Sequence, residues 1–499
     1  MNRTIATKAL TLTLLAGALA ACTTVGPNYK VPDAAFVKRP DANAPFAGAA
    51  EKAYQSAPLP ADWWRLYNDP VLDQLIAKAF TANTDLRVAA TNLERIHAAL
   101  EEVEERKRPE VEASVAPQYG RLAGASLGIP ETLPRTGLYD AEIRVSWQTD
   151  MWGRIRRAIE AAEADQDAAQ AAADMAHVTV AADTTRAYVD ACTAGYQLKV
   201  AQGSVDLQQR FVKLTAERIR AGRGTALESS RAAAQFDQLR ANLAPLEARR
   251  RVALYHLAVM TGDVPGNYAA NLPAAVAQCA TPPRVTSVIP IGDGAALLRR
   301  RPDVRQAERQ LAAATARIGV ATAELYPNIS LGASFGSVGL MSQFNDANTW
   351  KFSLGPLIQW SLPSTSTARV HIREARIGTD MQLARFDGVV LNALRETESA
   401  LTIYARELDR NAALRGARDQ SALAARQSAR LYQYGRTDFL SQLDADRTLA
   451  IAETALAVSD AQLATDQVQL FLALGGGWEN ARIASTAAAK DAKASPAKE

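Results

Sequence analysis

Residues 154 to 219 run for 66 positions without a proline, and residues 368 to 434 repeat the pattern. Proline removes a backbone donor and clashes with the preceding turn, so two such runs predict two very long helices. At 1.5 Å per residue each reaches about 100 Å, too long for one compact domain. Each ends at a tight turn, Gly222-Arg223-Gly224-Thr225 or Gly435-Arg436-Thr437-Asp438, and helices over 226 to 260 and 438 to 474 return. Shorter helices over 69 to 108 and 293 to 326 are stopped by Pro109 and Pro327. A short helix plus a return helix matches one long helix in length, which predicts a tall helical cylinder.

Composition agrees. The chain is 48% hydrophobic yet only 6% aromatic, because much of its apolar content is Ala. Ala favours helix but fills a core poorly, which argues against an enzyme with an aromatic-lined pocket and places the aromatics near the strands. Lys and Arg total 56 against 53 acidic residues, and a net charge of +3 gives no footprint for nucleic acid.

The plan occurs twice. At an offset of 218, Asp85, Arg87, Ala89, Leu93, Ala98 and Pro109 meet Asp303, Arg305, Ala307, Leu311, Ala316 and Pro327. At an offset of 213, Gly222, Arg223, Leu227, Leu257 and Gly262 meet Gly435, Arg436, Leu440, Leu470 and Gly475. The expected organisation is repeat 1 over 69–261, a Pro- and Gly-rich connector over 262–292, and repeat 2 over 293–475. A tail over 476–499 follows, of low complexity and disordered from 487 on. Each repeat holds an alternating hairpin, 111–149 or 329–361. Val111, Ala113, Val115, Pro117 and Tyr119 share one face, as do Ile329, Leu331, Ala333 and Phe335. The return strands are 138–149 and 350–361, and each strand is about the ~9–11 residues that cross hydrocarbon when tilted. Trp147, Trp152, Trp350 and Trp360 suit interfacial girdles. Two soluble hairpins on a helical body remain the alternative.

Residues 1–21 read as an export signal: Arg3 and Lys8 precede the apolar run 9–21, which is too short to span a bilayer. Leu19-Ala20-Ala21-Cys22 resembles the lipobox of bacterial lipoproteins, which implies cleavage before Cys22 and a lipid on it, with 22–68 as an extended lipidated segment. An ordinary secretory signal with an incidental Cys is the plainer reading. Thr23 is not the Asp that retains such lipoproteins at the inner membrane, so the resemblance implies outer-membrane sorting. No later stretch is long and apolar enough for a membrane helix, so a membrane crossing must be a β-barrel. Cys192 and Cys279 remain in an oxidising compartment. Cys192 lies about 57 Å along its helix, near the middle, where a mid-height connector would bring Cys279. A Cys192–Cys279 disulfide is expected, against two free thiols.

The chain resembles the outer-membrane factor family, the TolC/OprM-like channels, and especially its lipoprotein branch. The likeness rests on Cys22-Thr23-Thr24-Val25-Gly26-Pro27-Asn28-Tyr29, Trp63-Trp64 before Asp69-Pro70-Val71-Leu72, and Arg300-Arg301-Pro302-Asp303-Val304. The segments 221–231 and Tyr434-Gly435-Arg436 followed by 443–447 add to it. The resemblance implies an α+β trimer with a 12-stranded transmembrane β-barrel continuous with a 12-helix periplasmic α-barrel. Barrel physics also asks for several copies, since four strands cannot close and ~8 leave an interior that side chains fill.

The resemblance further implies the outer-membrane channel of a tripartite efflux pump, with a periplasmic membrane-fusion adaptor and an inner-membrane proton-driven transporter as partners. Gly222, Arg223, Thr225, Gly435, Arg436 and Thr437 match the tips that dock the adaptor, although Gly and Thr also serve any helical turn. Leu440 and Asp444 match the constriction, one turn apart on one helix face. Three copies would form an apolar plug and a ring of carboxylates, with Arg231 latching Asp444 of a neighbouring lane. A solvated surface charge is the plainer reading of Asp444.

Other readings are weaker. Gly124-Ala125-Ser126-Leu127-Gly128 and Gly332-Ala333-Ser334-Phe335-Gly336 match a nucleophile-elbow pattern but lack its strand–turn–helix context, so no catalytic residue is expected. His97, His177, His256 and His371 fall on separate helices, so no metal site or cofactor is expected beyond the lipid. A non-channel adaptor lipoprotein would carry β-rich modules that are not found here. A type I secretion channel would share the whole plan.

Overall fold

The computed structural model describes residues 24–121, 128, 130, 132, 134–360 and 365–479. The signal segment, Cys22 and the low-complexity tail lie outside them, as does most of the first nucleophile-elbow match. Eleven α-helices occur among the described residues. They are α1 (Pro70–Ala82), α2 (Thr84–Glu105), α3 (Arg154–Arg220), α4 (Ala226–Ala241), α5 (Leu243–Met260), α6 (Tyr268–Asn271), α7 (Ala274–Gln278), α8 (Gly294–Arg300), α9 (Pro302–Ala323), α10 (Thr365–Gln433) and α11 (Phe439–Leu474). The strands are β1 (Tyr54–Gln55), β2 (Glu110–Gly120), β3 (Thr136–Gln148), β4 (Ile289–Pro290), β5 (Asn328–Leu340) and β6 (Trp350–Gln359). Among the described residues no helix is long and apolar enough to cross a membrane.

Three expected single helices are each divided in two. The 69–108 stretch breaks at Asn83, whose extended backbone ends α1 while its Oδ1 accepts from the N–H groups of Asp85 and Leu86. The 293–326 stretch breaks at Arg301, held extended (ψ 121°) because Pro302 disfavours helix in the residue before it. The 226–260 stretch breaks at Asn242, three residues before Pro245, which cannot donate to the carbonyl four residues back.

Two compact units divide the chain. The first comprises the described residues up to 32, 93–169 and 306–386. In it the two hairpins join through β3 and β5 into one antiparallel sheet ordered β2-β3-β5-β6. Its helical part packs on small side chains. Leu100 meets Ile155 and Ile159, while Ala164 meets Ala312 and Ala313 with Tyr29 beside them. Arg157, only 3% exposed, clips the segment that follows Cys22. It donates to the carbonyls of Val25 (3.0 Å) and Gly26 (3.1 Å) and to Asn28 Oδ1 (2.8 Å), and pairs with Glu160 at 2.6 Å.

The second unit comprises 33–92, 170–305 and 387 onward. Its core is aromatic, contrary to the expectation that aromatics gather near the strands. Trp63 stacks on Phe471 at 4.7 Å and meets Trp64 edge-on, and Tyr67 closes on Phe471 at 6.2 Å. Large rings fill the space between helices that Ala leaves open. Asp69 caps α1 and accepts from the Tyr188 hydroxyl at 2.6 Å. Glu398 accepts from the N–H groups of Ala47 and Gly48. Cys192 of α3 and Cys279, just after α7, are joined as a disulfide with their Cα atoms 4.8 Å apart.

Candidate functional site

The sheet of the first unit has two chemically different faces, and its register assigns them. Val111, Ala113, Val115 and Tyr119 stand opposite Val145, Ile143, Ala141 and Gly137. Ile143, Val145 and Trp147 in turn face Phe335, Ala333 and Leu331, which face Phe352, Leu354 and Pro356. Cross-strand partners share a face, so one side is apolar across all four strands. That side is open: Phe352 is 85% exposed, Leu354 84% and Val115 75%. Two soluble hairpins would not leave so large an apolar surface uncovered.

The opposite face is polar. Lys351 pairs with Asp140 at 2.8 Å and Glu142 at 2.7 Å, and Arg144 pairs with Glu142 at 2.8 Å. These ion pairs were missed in the sequence, although charges at alternate strand positions signalled them. Ser334 of the second elbow match lies on this face in mid-strand, its Oγ 2.9 Å from Ser353 Oγ. The helices leave from the strand ends opposite the hairpin loops. There Trp147 donates to the carbonyl of Lys107, Trp152 to that of Pro327 and Trp360 to that of Leu325. Trp350 stands at the other end, stacked on Phe335 at 5.1 Å. The histidines lie apart: His97 meets Gln166, His177 meets the ring of Phe80, and His371 meets Glu324 at 2.7 Å. That carboxylate holds the His371 pKa above its usual value.

Both helical hairpins of the second unit end in the same turn. Gly222 (φ 69°) and Gly435 (φ 68°) adopt the left-handed conformation. The N–H groups of Arg223 and Arg436 donate back to Arg218 and Leu431, each at 2.8 Å. This is a Schellman closure, which glycine enters without a Cβ penalty. The turns then start their return helices differently. Thr225 forms a capping box with Glu228, while Asp438 caps α11 by accepting from Ser441 N–H at 2.7 Å. Asp438, rather than Thr437, therefore occupies the place of Thr225; Thr437 is half-buried beside it. The backbone bond holds the Asp438 carboxyl below its usual range.

Phe211 stacks on Phe439 at 5.3 Å and approaches Tyr432 at 6.0 Å, tying α3, α10 and α11 together behind the turns. Arg218 lies over the Tyr432 ring. Leu440 is 54% exposed, Asp444 is exposed one turn along, and Leu227 and Arg231 are exposed at the corresponding places of α4. Within one chain Arg231 and Asp444 form no ion pair. Asp446, turned inward against Gln442, has its pKa raised by burial.

The profile of the family described as outer membrane efflux protein matches the chain twice, over residues 75–263 and 295–476. The chain belongs to this family. It is 33% identical to the outer-membrane channel OprN, whose solved structure superposes with a TM-score of 0.83 over 91% of this chain and all of that one. It is 27% identical over 483 residues to a probable efflux pump outer membrane protein, TtgC, of Pseudomonas putida, covering 94% and 95% of the two chains. It is 24% identical over 466 residues to the probable outer membrane lipoprotein SilC of Salmonella typhimurium, covering 92% and 96%. The chain is thus an outer-membrane efflux channel protein that reaches into the periplasm, built from two repeats on the helical-barrel and β-barrel fold of these channels.

Proposed function

We propose that three copies close the sheet into a 12-stranded barrel over 12 helical lanes, forming the passive outer conduit of a tripartite efflux pump. The observation that carries this is the four-stranded sheet itself: β2 and β6 keep free edges, and its apolar face is open. A free edge invites another strand, and in hydrocarbon it must be paired. Pairing β2 of one copy with β6 of the next satisfies both edges, turns the apolar face to lipid and encloses the ion-paired face, with the hairpin loops, opposite the helices, as the outward rim. A periplasmic adaptor docks at the turns around Gly222, Arg223, Thr225, Gly435, Arg436 and Thr437, and a proton-driven inner-membrane transporter supplies the energy. Leu440 and Asp444 form the resting constriction, with Arg231 of a neighbouring lane paired to Asp444. After removal of 1–21, Cys22 carries lipid and Arg157 holds the chain that follows it.

Native mass spectrometry in mild detergent tests the assembly, with a trimer as the expected mass and a monomer as the contrary one. Single-channel recording tests the gate. Replacing Leu440 and Asp444 with Gly and Ser raises conductance several-fold, and unchanged conductance in a folded trimer removes these residues from the constriction.

A further inference from the structure

The apolar face of the sheet is not uniform. A groove of about 450 Å³ opens in it. Its floor is made of small side chains, Ala113, Ala141 and Ser337, and its walls are Phe335, Trp350 and Phe344. The walls are braced before any ligand arrives. Phe335 stacks on Trp350 at 5.1 Å, and Phe344 packs edge-on to Tyr139 at 5.1 Å. The loop carrying Phe344 is held by a closed chain of hydroxyls. Tyr139 Oη lies 2.8 Å from Ser337 Oγ, Ser337 donates to Thr349 Oγ1 at 2.9 Å, and Thr349 donates to the carbonyl of Asp346 at 2.7 Å.

Those bonds have a chemical consequence. The hydroxyls beside the groove are satisfied by one another, so the groove presents carbon to its occupant. An alkyl chain suits it, whereas a ligand with buried polar groups would forfeit their hydrogen bonds. The groove lies on the apolar face across β2, β3, β5 and the start of β6, and barrel closure joins the strand edges rather than covering that face, so it is left facing lipid.

Its depth and its charged end narrow the occupant. Ala141 lies five residues from Thr136, where β3 begins at the outward rim, and Ala113 lies seven from Gly120. At ~3.3 Å per residue the floor is about 17–23 Å from that rim along the strands, shortened by their tilt to roughly one ~15 Å leaflet. At the rim itself Gly120 pairs with Thr136, and the next residues on the two strands are Arg121 and Arg135. Both are exposed, and neither has an ion-pair partner among the described residues. An amphiphile with its tail in the groove would set its head group at these two cations, which favours phosphate.

The geometry points to a resident-lipid site: the groove holds one acyl chain of a phosphorylated outer-leaflet glycolipid whose head group meets Arg121 and Arg135. This rests on the reading that the apolar face is turned to the membrane.

The test is native mass spectrometry of the full chain, extracted from outer membranes, stripped of lipid, and offered lipid A or phosphatidylglycerol. Wild type is expected to retain lipid A about tenfold better than phosphatidylglycerol. Ala141→Trp, which fills the floor, loses the lipid A adduct, whereas Ala333→Trp, on the same face beyond the groove, keeps it. Replacing Arg121 and Arg135 together with Ala removes the preference between the two lipids. No adduct on wild type, equal retention by Ala141→Trp, or a preference for phosphatidylglycerol would overturn the site. A second measurement leaves the floor unaltered. Doxyl-labelled lipid A quenches a fluorescence component that disappears in Trp350→Phe, and the absence of such a component also overturns the site. Single-channel recording of wild type separates the two readings, since failure to conduct counts against the channel and leaves lipid retention as an independent result.

Discussion

The two helix breaks beside the return helices solve one backbone problem with different chemistry. Asn83 and Arg301 correspond between the repeats at the offset of 218, and both sit in extended backbone between two helices. Both donate to the end of their own repeat's return helix, Asn83 to the carbonyl of Met260 (3.2 Å) and Arg301 to that of Ala473 (2.8 Å). Those two carbonyls correspond at the offset of 213. The first break is a neutral cap. The second combines the backbone effect of Pro302 with a guanidinium that pairs with Asp303 at 2.7 Å and Glu396 at 2.9 Å. Duplication has kept the contact between elements and let the side chain that makes it diverge.

The largest expected effect separates the two breaks. Arg301→Ala leaves a buried carbonyl and two carboxylates without their cation, costing about 3 kcal/mol; Glu396 keeps some access to water, which holds the cost down. Asn83→Ala removes one cap and one hydrogen bond, costing about 1–2 kcal/mol. Thermal unfolding of the two variants reads the difference, and equal shifts would mean that the charge adds nothing to the second break.

The glycines sharpen the comparison. Gly222→Ala and Gly435→Ala should each cost about 1–2 kcal/mol through positive φ alone, because nothing lies within 4 Å of an added Cβ. Gly475→Ala should cost more, because its Cβ would also meet Arg301 Cγ at 2.8 Å. Denaturant midpoints would show this ranking, and a Gly475→Ala effect no larger than the tip effects would break it.

The smallest effect distinguishes the helix caps. Thr225→Ala should cost about 1 kcal/mol at any pH. Asp438 has a lowered pKa, so the stability it contributes is present above the ordinary aspartate value and is lost as pH falls through the lowered one. Asp446 has the opposite sign: its pKa is raised, so its burial is tolerated best when it is protonated and becomes a cost as pH rises through the raised value. Acid-unfolding curves of Asp438→Asn and Asp446→Asn should therefore lose opposite slopes. Slopes of the same sign would contradict the environments described for them.

Much of this was legible in the chain. The absence of proline over 154–219 gave the long helix α3, and Pro109 and Pro327 ended helices α2 and α9 within a few residues. The break at Arg301 is readable from Pro302 and the break at Asn242 from Pro245. The break at Asn83 had no such sign, because an asparagine ends a helix only where its amide finds a partner, here a carbonyl 177 residues away. The cap at Asp438 is legible from the offset of 213, which sets it opposite Thr225, although Thr437 beside it is also a capping residue type. The aromatic cluster around Trp63 and Phe471 was hidden because composition counts rings without saying which of them meet.

What the sequence determined by itself was local and periodic: helix lengths, the alternation of each strand, the two glycine turns and the duplication. These follow from backbone sterics and side-chain period, which act over a few residues. Only the tertiary structure decided which alternating strands are neighbours. A period of two gives every strand an apolar face but names no partner, and pairing β3 with β5 is what makes two hairpins into one wall. The same holds for the disulfide between α3 and the connector, and for the groove on the wall. Each depends on where distant residues come to lie once the long helices are packed.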